Sequence, residues 1–215
     1  MSIITLGQDC GPAASLKILS MRKYALPFDW MRSNPQILSE VILNNFKGFH
    51  ESLKLSENRQ YVIDSYGLEF PHDYPTVSQP VLNMNVEDIL EHRIIDTWEE
   101  HISAVQEKYK RRIERFHSIM NSEEPVLALF SGQVDHVNLF KNAFKIRYNK
   151  TNVYYAVLSE EIISEEQRQD LLENHNISLC EPEEIIIDEY DNMYINKEAQ
   201  ANLWFDAINK IHLKN

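Results

Sequence analysis

In the stretch TLGQDCGPAASL, residues 5–16, a cysteine stands where an apolar run gives way to a helix-like one. A thiol at such a joint lies at a helix N-terminus, where partial positive charge favours the thiolate and the nucleophile it makes. Gly7 and Gly11 let the backbone turn sharply around Cys10. The competing reading is structural, because small, easily buried cysteines suit crowded turns. A thiol nucleophile needs a base, and histidine is the usual one. Of the eight histidines, His92, His101 and His117 fall on one long helical pattern, His136 opens another, and His175 sits beside a helix end. His72 differs: LEFPHDYP places it in a proline-flanked loop, the kind of segment that carries function. Two carboxylates are candidates to orient it. Asp73 is adjacent, although in extended backbone it points away from its neighbour and it can instead cap its own turn. Asp29, in YALPFDWM, is set among large apolar residues and needs a buried partner, either an imidazole or the groups that pin a loop. Asp64 is also eligible. In KYKRRIERF, Lys108, Arg112 and Arg115 share one helix edge. That edge suits a carboxylate or phosphate at a cleft rim, or salt bridges to Glu107 and Glu114.

Composition narrows the field. The 215 residues carry 21 Lys and Arg against 33 Asp and Glu, a net charge of −12, which argues against a general nucleic-acid binder. PVLALF is much too short to cross a bilayer, so no membrane association is expected, and no secretory signal is apparent. Two cysteines, Cys10 and Cys180, are too few for a disulfide framework, which points to a reduced, cytoplasmic protein. The sequence contains no dinucleotide fingerprint, phosphate loop, HExxH, GxSxG or CxxC, and Asp135–His136 alone make no metal site. No cofactor or metal is expected.

The elements that must hold these residues follow from periodicity. SIITLG reads as a buried strand and residues 10–23 as a helix with Pro12 in its first turn. Residues 24–35 are turn-rich, 35–46 form a short helix, and 59–70 a strand or hairpin. Trp98, Ile102, Val105, Tyr109, Ile113, Phe116 and Met120 recur at steps of three and four, giving one long helix around 86–121. Strands at PVLALFSG, NVYYAVLS and ISLCEP then alternate with helices at 135–148, 164–175 and 198–212. Such alternation implies an α/β fold, a mostly parallel sheet with helices on both faces. A single domain over residues 1–215 is expected, with the Cys/His region in 1–84 and the long helix and βαβ units in 85–215. Ligands of such sheets gather beyond the carboxyl ends of the strands, where Cys10 falls.

Three segments together resemble a known family. LGQDCGPAASLKILSMRKYALPFDWMRS is similar to its opening signature, FPHD to its His-Asp element, and KYKRRIERF followed by PVLALF to its Arg-rich helix running into a strand. The family is a bacterial group of papain-like cysteine peptidases of unknown function, and the resemblance covers roughly the first 130 residues. It implies a cysteine hydrolase with Cys10 as nucleophile and His72 as base, acting on a peptide or small-molecule substrate. Asp29 or Asp73 would orient the ring, and Gln8 and Gly11 would serve the oxyanion or its turn. Papain-like enzymes carry their oxyanion glutamine several residues before the cysteine, whereas Gln8 is two residues away. The alternative is a non-hydrolytic α/β enzyme or binding domain for an anionic sugar, nucleotide or phosphate, with Cys10 structural and Arg112 and Arg115 holding the anion. An interaction protein with a degenerate site is a third reading.

Overall fold

The computed structural model describes residues 1–79, 93–159, 161, 163–180, 186–187, 193–194 and 197–214. The central element is a four-stranded parallel sheet. Its strands are β1 (Ser2–Thr5), β5 (Val126–Ser131), β6 (Val153–Leu158) and β7 (Ile177–Cys180), in the order β1-β5-β6-β7. Ser2 lies opposite Val126, Val126 opposite Val153 and Leu158 opposite Cys180. These strands are continuous apolar runs because both faces of the sheet are covered. Val126, Ala128 and Phe130 enter one core with Tyr155 and Val157; Leu127 and Leu129 enter another with Ala156 and Leu158.

Helix α1 (Gly11–Ile18) and α6 (Lys197–Lys214) close the second core, supplying Leu16 and Trp204, Ile208 and Ile211. Helices α2 (Pro35–Leu43), α3 (Ile102–Met120) and α4 (Val137–Tyr148) supply the first, through residues such as Leu38, Phe116 and Phe144. Helix α5 (Glu165–His175) starts on a capping box of Ser164 and Gln167 and leads into β7. A second, antiparallel sheet pairs β2 (Lys54–Leu55), β3 (Val62–Ile63) and β4 (Glu69–Phe70). Strands β8 (Ile186–Ile187) and β9 (Met193–Tyr194) form a third, two-stranded pair. No helix among the described residues is long and apolar enough to cross a membrane.

Helices α1 and α3 differ most in extent from their sequence patterns, and α2 ends at Leu43 rather than at residue 46. Helix α1 stops at Ile18, short of residue 23. Ser20 takes a left-handed φ of 56°, and Met21 N–H donates back to the Leu16 carbonyl, a C-terminal closure that reverses the chain. The long helix has the expected buried stripe, but residues 93–97 are not helical and Ile94 bridges Thr76 instead. A 3-10 turn, Trp98–His101, leads into α3. The earlier part of the pattern lies mostly at 80–92, outside the described residues, as does His92.

Candidate active site

The turn after β1 is built by close backbone contact. Leu6 N–H donates to the Leu129 carbonyl at 2.8 Å and carries the ladder past the strand end. A Cβ at Gly7 would collide with the Phe28 carbonyl oxygen, so glycine lets the loop at 24–33 lie directly on the chain. Ser33 Oγ donates to the Gly7 carbonyl and secures that approach. Cys10 occupies the N-cap of α1 with φ −83° and ψ −5°, and Pro12 follows in the first turn. Gly11 N–H donates to Asp9 Oδ1, and a Cβ at Gly11 would come within 2.9 Å of Gln200 Nε2 from α6. Cys10 is thereby left partly exposed at a helix N-terminus and forms no disulfide.

Cys10 and His72 line the same cleft, of about 290 Å³. Asp9 and Cys10 come from the β1–α1 turn, and Trp30, Met31 and Arg32 from the loop laid over Gly7. Gln60 and Tyr61, ahead of β3, and Pro71 and His72, just after β4, complete the wall. The Trp30 and His72 rings meet edge to face, with centroids 6.1 Å apart. Trp30 is braced in turn by the Arg22 guanidinium, 5.2 Å from its centroid.

Asp29 serves that brace and not an imidazole. Its Oδ2 accepts from Arg22 Nη2 at 2.8 Å and from Leu26 N–H at 2.9 Å, while Oδ1 accepts from Thr5 Oγ1 at 2.6 Å. No histidine is among its partners in the described residues. The chain reversal at Ser20 brings Arg22 to this buried carboxylate, so Asp29 ties the loop to β1.

Asp73 turns inward while its neighbour His72 lines the cleft. It is buried, forms an ion pair with Lys108, and accepts from Tyr109 Oη at 2.6 Å, with Arg112 Nη1 at 3.9 Å. Burial alone would raise its pKa, but the charges of Lys108 and Arg112 and the two hydrogen bonds outweigh it and hold the carboxyl below its ordinary range. Burial drives the Tyr109 phenol well above its usual value, so it stays a donor. Lys108 and Arg112 on the basic edge of α3 are therefore not free to hold an anion. Lys108 and Arg112 are buried against Asp73, in place of pairing with Glu107 or Glu114, and Arg115 Nη1 donates to the Ala25 carbonyl at 3.3 Å. Neither arginine lines the cleft.

Beside this network His50 is buried, with its Nε2 3.0 Å from Tyr74 Oη and its ring against Phe70 and Tyr109. Burial, with a smaller push from Lys108 against the pull of Asp73, lowers its pKa to about 4. Asp64 accepts from the N–H groups of His50, Tyr66 and Leu68 and organises the β3–β4 turn, and it does not line the cleft. Neither residue expected to serve the oxyanion is free in the cleft. Gln8 is not part of the cleft wall, its amide lying where a Cβ at Gly132 would stand, 2.6 Å from Nε2. The Gly11 N–H is committed to Asp9. No motif in the sequence marks His50, and Trp30 and Tyr61 read there only as an apolar neighbour of Asp29 and as part of a strand or hairpin. The run Asp29-Trp30-Met31-Arg32, an acid and a base around a tryptophan in a turn-rich segment, is the one signal that could have marked the wall.

Comparison with known proteins adds a family. The chain is 28% identical over 145 residues to the uncharacterized protein R408 of Acanthamoeba polyphaga mimivirus, a match spanning 55% of this chain and 56% of that protein. It thus covers little more than half the length of that relative. No solved structure gives a significant match. Residues 1–133, which contain the β1–α1 turn, the loop at 24–33, His72 and α3, match the model of the family described as "Putative papain-like cysteine peptidase (DUF1796)", and the chain belongs to that family.

Proposed function

We propose that this protein is a cysteine-nucleophile hydrolase of the peptidase or amidase type, acting on the acyl carbon of a peptide or small molecule. The observation that carries the reading is that Cys10, at the N-terminus of α1, and His72 line one cleft. His72 takes the proton from Cys10 Sγ, and the positive end of α1 favours the thiolate. Sulfur bonds to the acyl carbon; the bond to the leaving nitrogen or oxygen breaks, and His72 returns the proton to it. Water, deprotonated by His72, then cleaves the thioester and regenerates the thiol. Asp73 is a positioning residue: held by Lys108, Tyr109 and Arg112, it fixes the chain next to His72 without touching the cleft. Because those anchors come from α3, residues 1–84 and 85–215 act as one domain in this reading. A reducing, cytoplasmic setting suits a mechanism that needs a thiol.

The test is acylation by 4-nitrophenyl acetate. Wild-type protein should release nitrophenolate and carry an acetyl group on Cys10 by mass spectrometry, and Cys10→Ala should not. His72→Asn should slow acylation by about 10²- to 10⁴-fold. Equal acylation of the Cys10→Ala variant would overturn the reading.

A further inference from the structure

We infer that the cleft contains a carboxylate subsite formed by Arg32 and Gln60 and set by Tyr61, so that its acyl substrates carry a carboxylate beside an apolar group. This inference rests on Cys10 being the nucleophile.

The direction of the hydrogen bonds is the argument. The Arg32 backbone is fixed by two bonds to Glu69, its N–H donating at 2.9 Å and its carbonyl accepting at 3.0 Å. Its side chain is 55% exposed and lies over the Tyr61 ring, 5.2 Å from the centroid. Arg32 Nη1 donates to Tyr61 Oη at 2.7 Å, and Tyr61 Oη donates onward to Gln60 Oε1 at 3.2 Å. Asn58 Nδ2 donates to the same Oε1 at 3.1 Å. Gln60 therefore has its acceptor used twice and its two N–H donors left over. Arg32 likewise retains Nε and Nη2, which donate to no group among the described residues. Its ion pair with Glu69 is long, at 3.7 Å, and made by the Nη1 already given to Tyr61.

That part of the wall presents donors and a positive charge, with no acceptor left on Arg32 or Gln60. A planar carboxylate, which only accepts, is the complement of a guanidinium fork. Trp30, backed by the buried Met31 and Pro71, supplies an apolar surface next to it. Asp9, the other charged side chain of the wall, accepts from Gly11 N–H and has no donor to offer, so Arg32 is the cation toward which a substrate carboxylate is oriented. In a chain of net charge −12, such a local cation is what lets an acidic substrate settle.

The experiment compares two esters that differ in charge. Cys10 Sγ attacks the acyl carbon of mono-4-nitrophenyl glutarate or 4-nitrophenyl butyrate, a C–S bond forms, and nitrophenolate leaves with the electron pair of the broken C–O bond. Wild-type protein should favour the glutarate ester, and Arg32→Gln should cut the glutarate-to-butyrate rate ratio by about tenfold, the scale of one hydrogen bond to a charged group. Tyr61→Phe should cut the ratio less, through loss of the Oη that holds Arg32 and Gln60. Separately, free glutarate should protect Cys10 from iodoacetamide in wild-type protein and not in Arg32→Gln. Acylation by both esters at equal rates with no protection by glutarate overturns the subsite and leaves the nucleophile standing. If neither ester acylates Cys10, the nucleophile reading falls and the assignment of acyl substrates falls with it, even where glutarate protects the thiol. Protection by inorganic phosphate but not by glutarate overturns the assignment to a carboxylate.

Discussion

Cys10 and Cys180 both stand at carboxyl ends of strands in the same parallel sheet, and their surroundings make them chemically opposite. Cys180 ends β7, 4% exposed, packed in the core that Leu16, Leu158 and Trp204 build. Burial pushes its thiol up to about 12, with Lys210 lowering and Asp206 raising it by smaller amounts. Cys10 follows β1 by five residues, past a glycine turn, and opens into a cleft with an imidazole on the wall. What separates them is the depth of the strand end: β7 is sealed by α6, whereas β1 is overlaid by a loop that leaves a gap. The lesson is that reactivity here comes from the loop and its supports, since residue type and place in the sheet are shared.

The supports of the Cys10 side are charged and those of the Cys180 side apolar, so the two should break differently. The largest effect is expected from Lys108→Met. It strands Asp73 without its closest cation and should cost about 3–5 kcal/mol, the scale for breaking a buried pair. Urea unfolding measures the loss. At urea concentrations where the fold persists, alkylation should change at Cys10 and not at Cys180. Equal changes at both would erase the distinction.

Acid should act next, again on the Cys10 side. His50 is neutral in the fold with a pKa of about 4 against 6.5 when unfolded, so the unfolded chain binds the extra proton between those values. Its contribution is present in full above pH 6.5 and is lost as pH falls toward 4, by about 3 kcal/mol in all. The groups facing it are Asp73, Lys108, Tyr74 and Tyr109. Asp64, whose carboxyl is raised by burial against the pull of its backbone hydrogen bonds, works in the opposite sense. The urea midpoint should drop between pH 7 and 4.5, and His50→Gln should flatten that drop; an unchanged slope in the variant would remove His50 as the cause.

The smallest effect is expected at the sealed cysteine. Cys180→Ala removes one sulfur from a packed core and should cost about 1–2 kcal/mol. Acylation of Cys10 by 4-nitrophenyl acetate should be unaltered. A slowed acylation would mean the two ends of the sheet are coupled.

The α/β layering was legible because apolar runs and helical stripes are local properties. The Cys10 joint was legible because Gly7, Gly11 and Pro12 flank it in sequence, and His72 because two prolines mark its loop. What could not be read were partners set by tertiary packing or by an unsignalled chain reversal. Lys108 finds Asp73 from 35 positions away, and Arg22 finds Asp29 only because Ser20 turns left-handed and reverses the chain. No periodicity encodes either pairing. The basic edge of α3 was visible as charge, but charge alone does not say whether it meets solvent or a buried carboxylate.

The central claim is that His72 activates Cys10, and the pH dependence of iodoacetamide alkylation at each cysteine tests it most directly. Cys10 should react with an inflection below about pH 8, the ordinary thiol range, and His72→Asn should move it upward while native Cys180 stays unlabelled. An inflection for Cys10 at the ordinary thiol value, unchanged by His72→Asn, would contradict it.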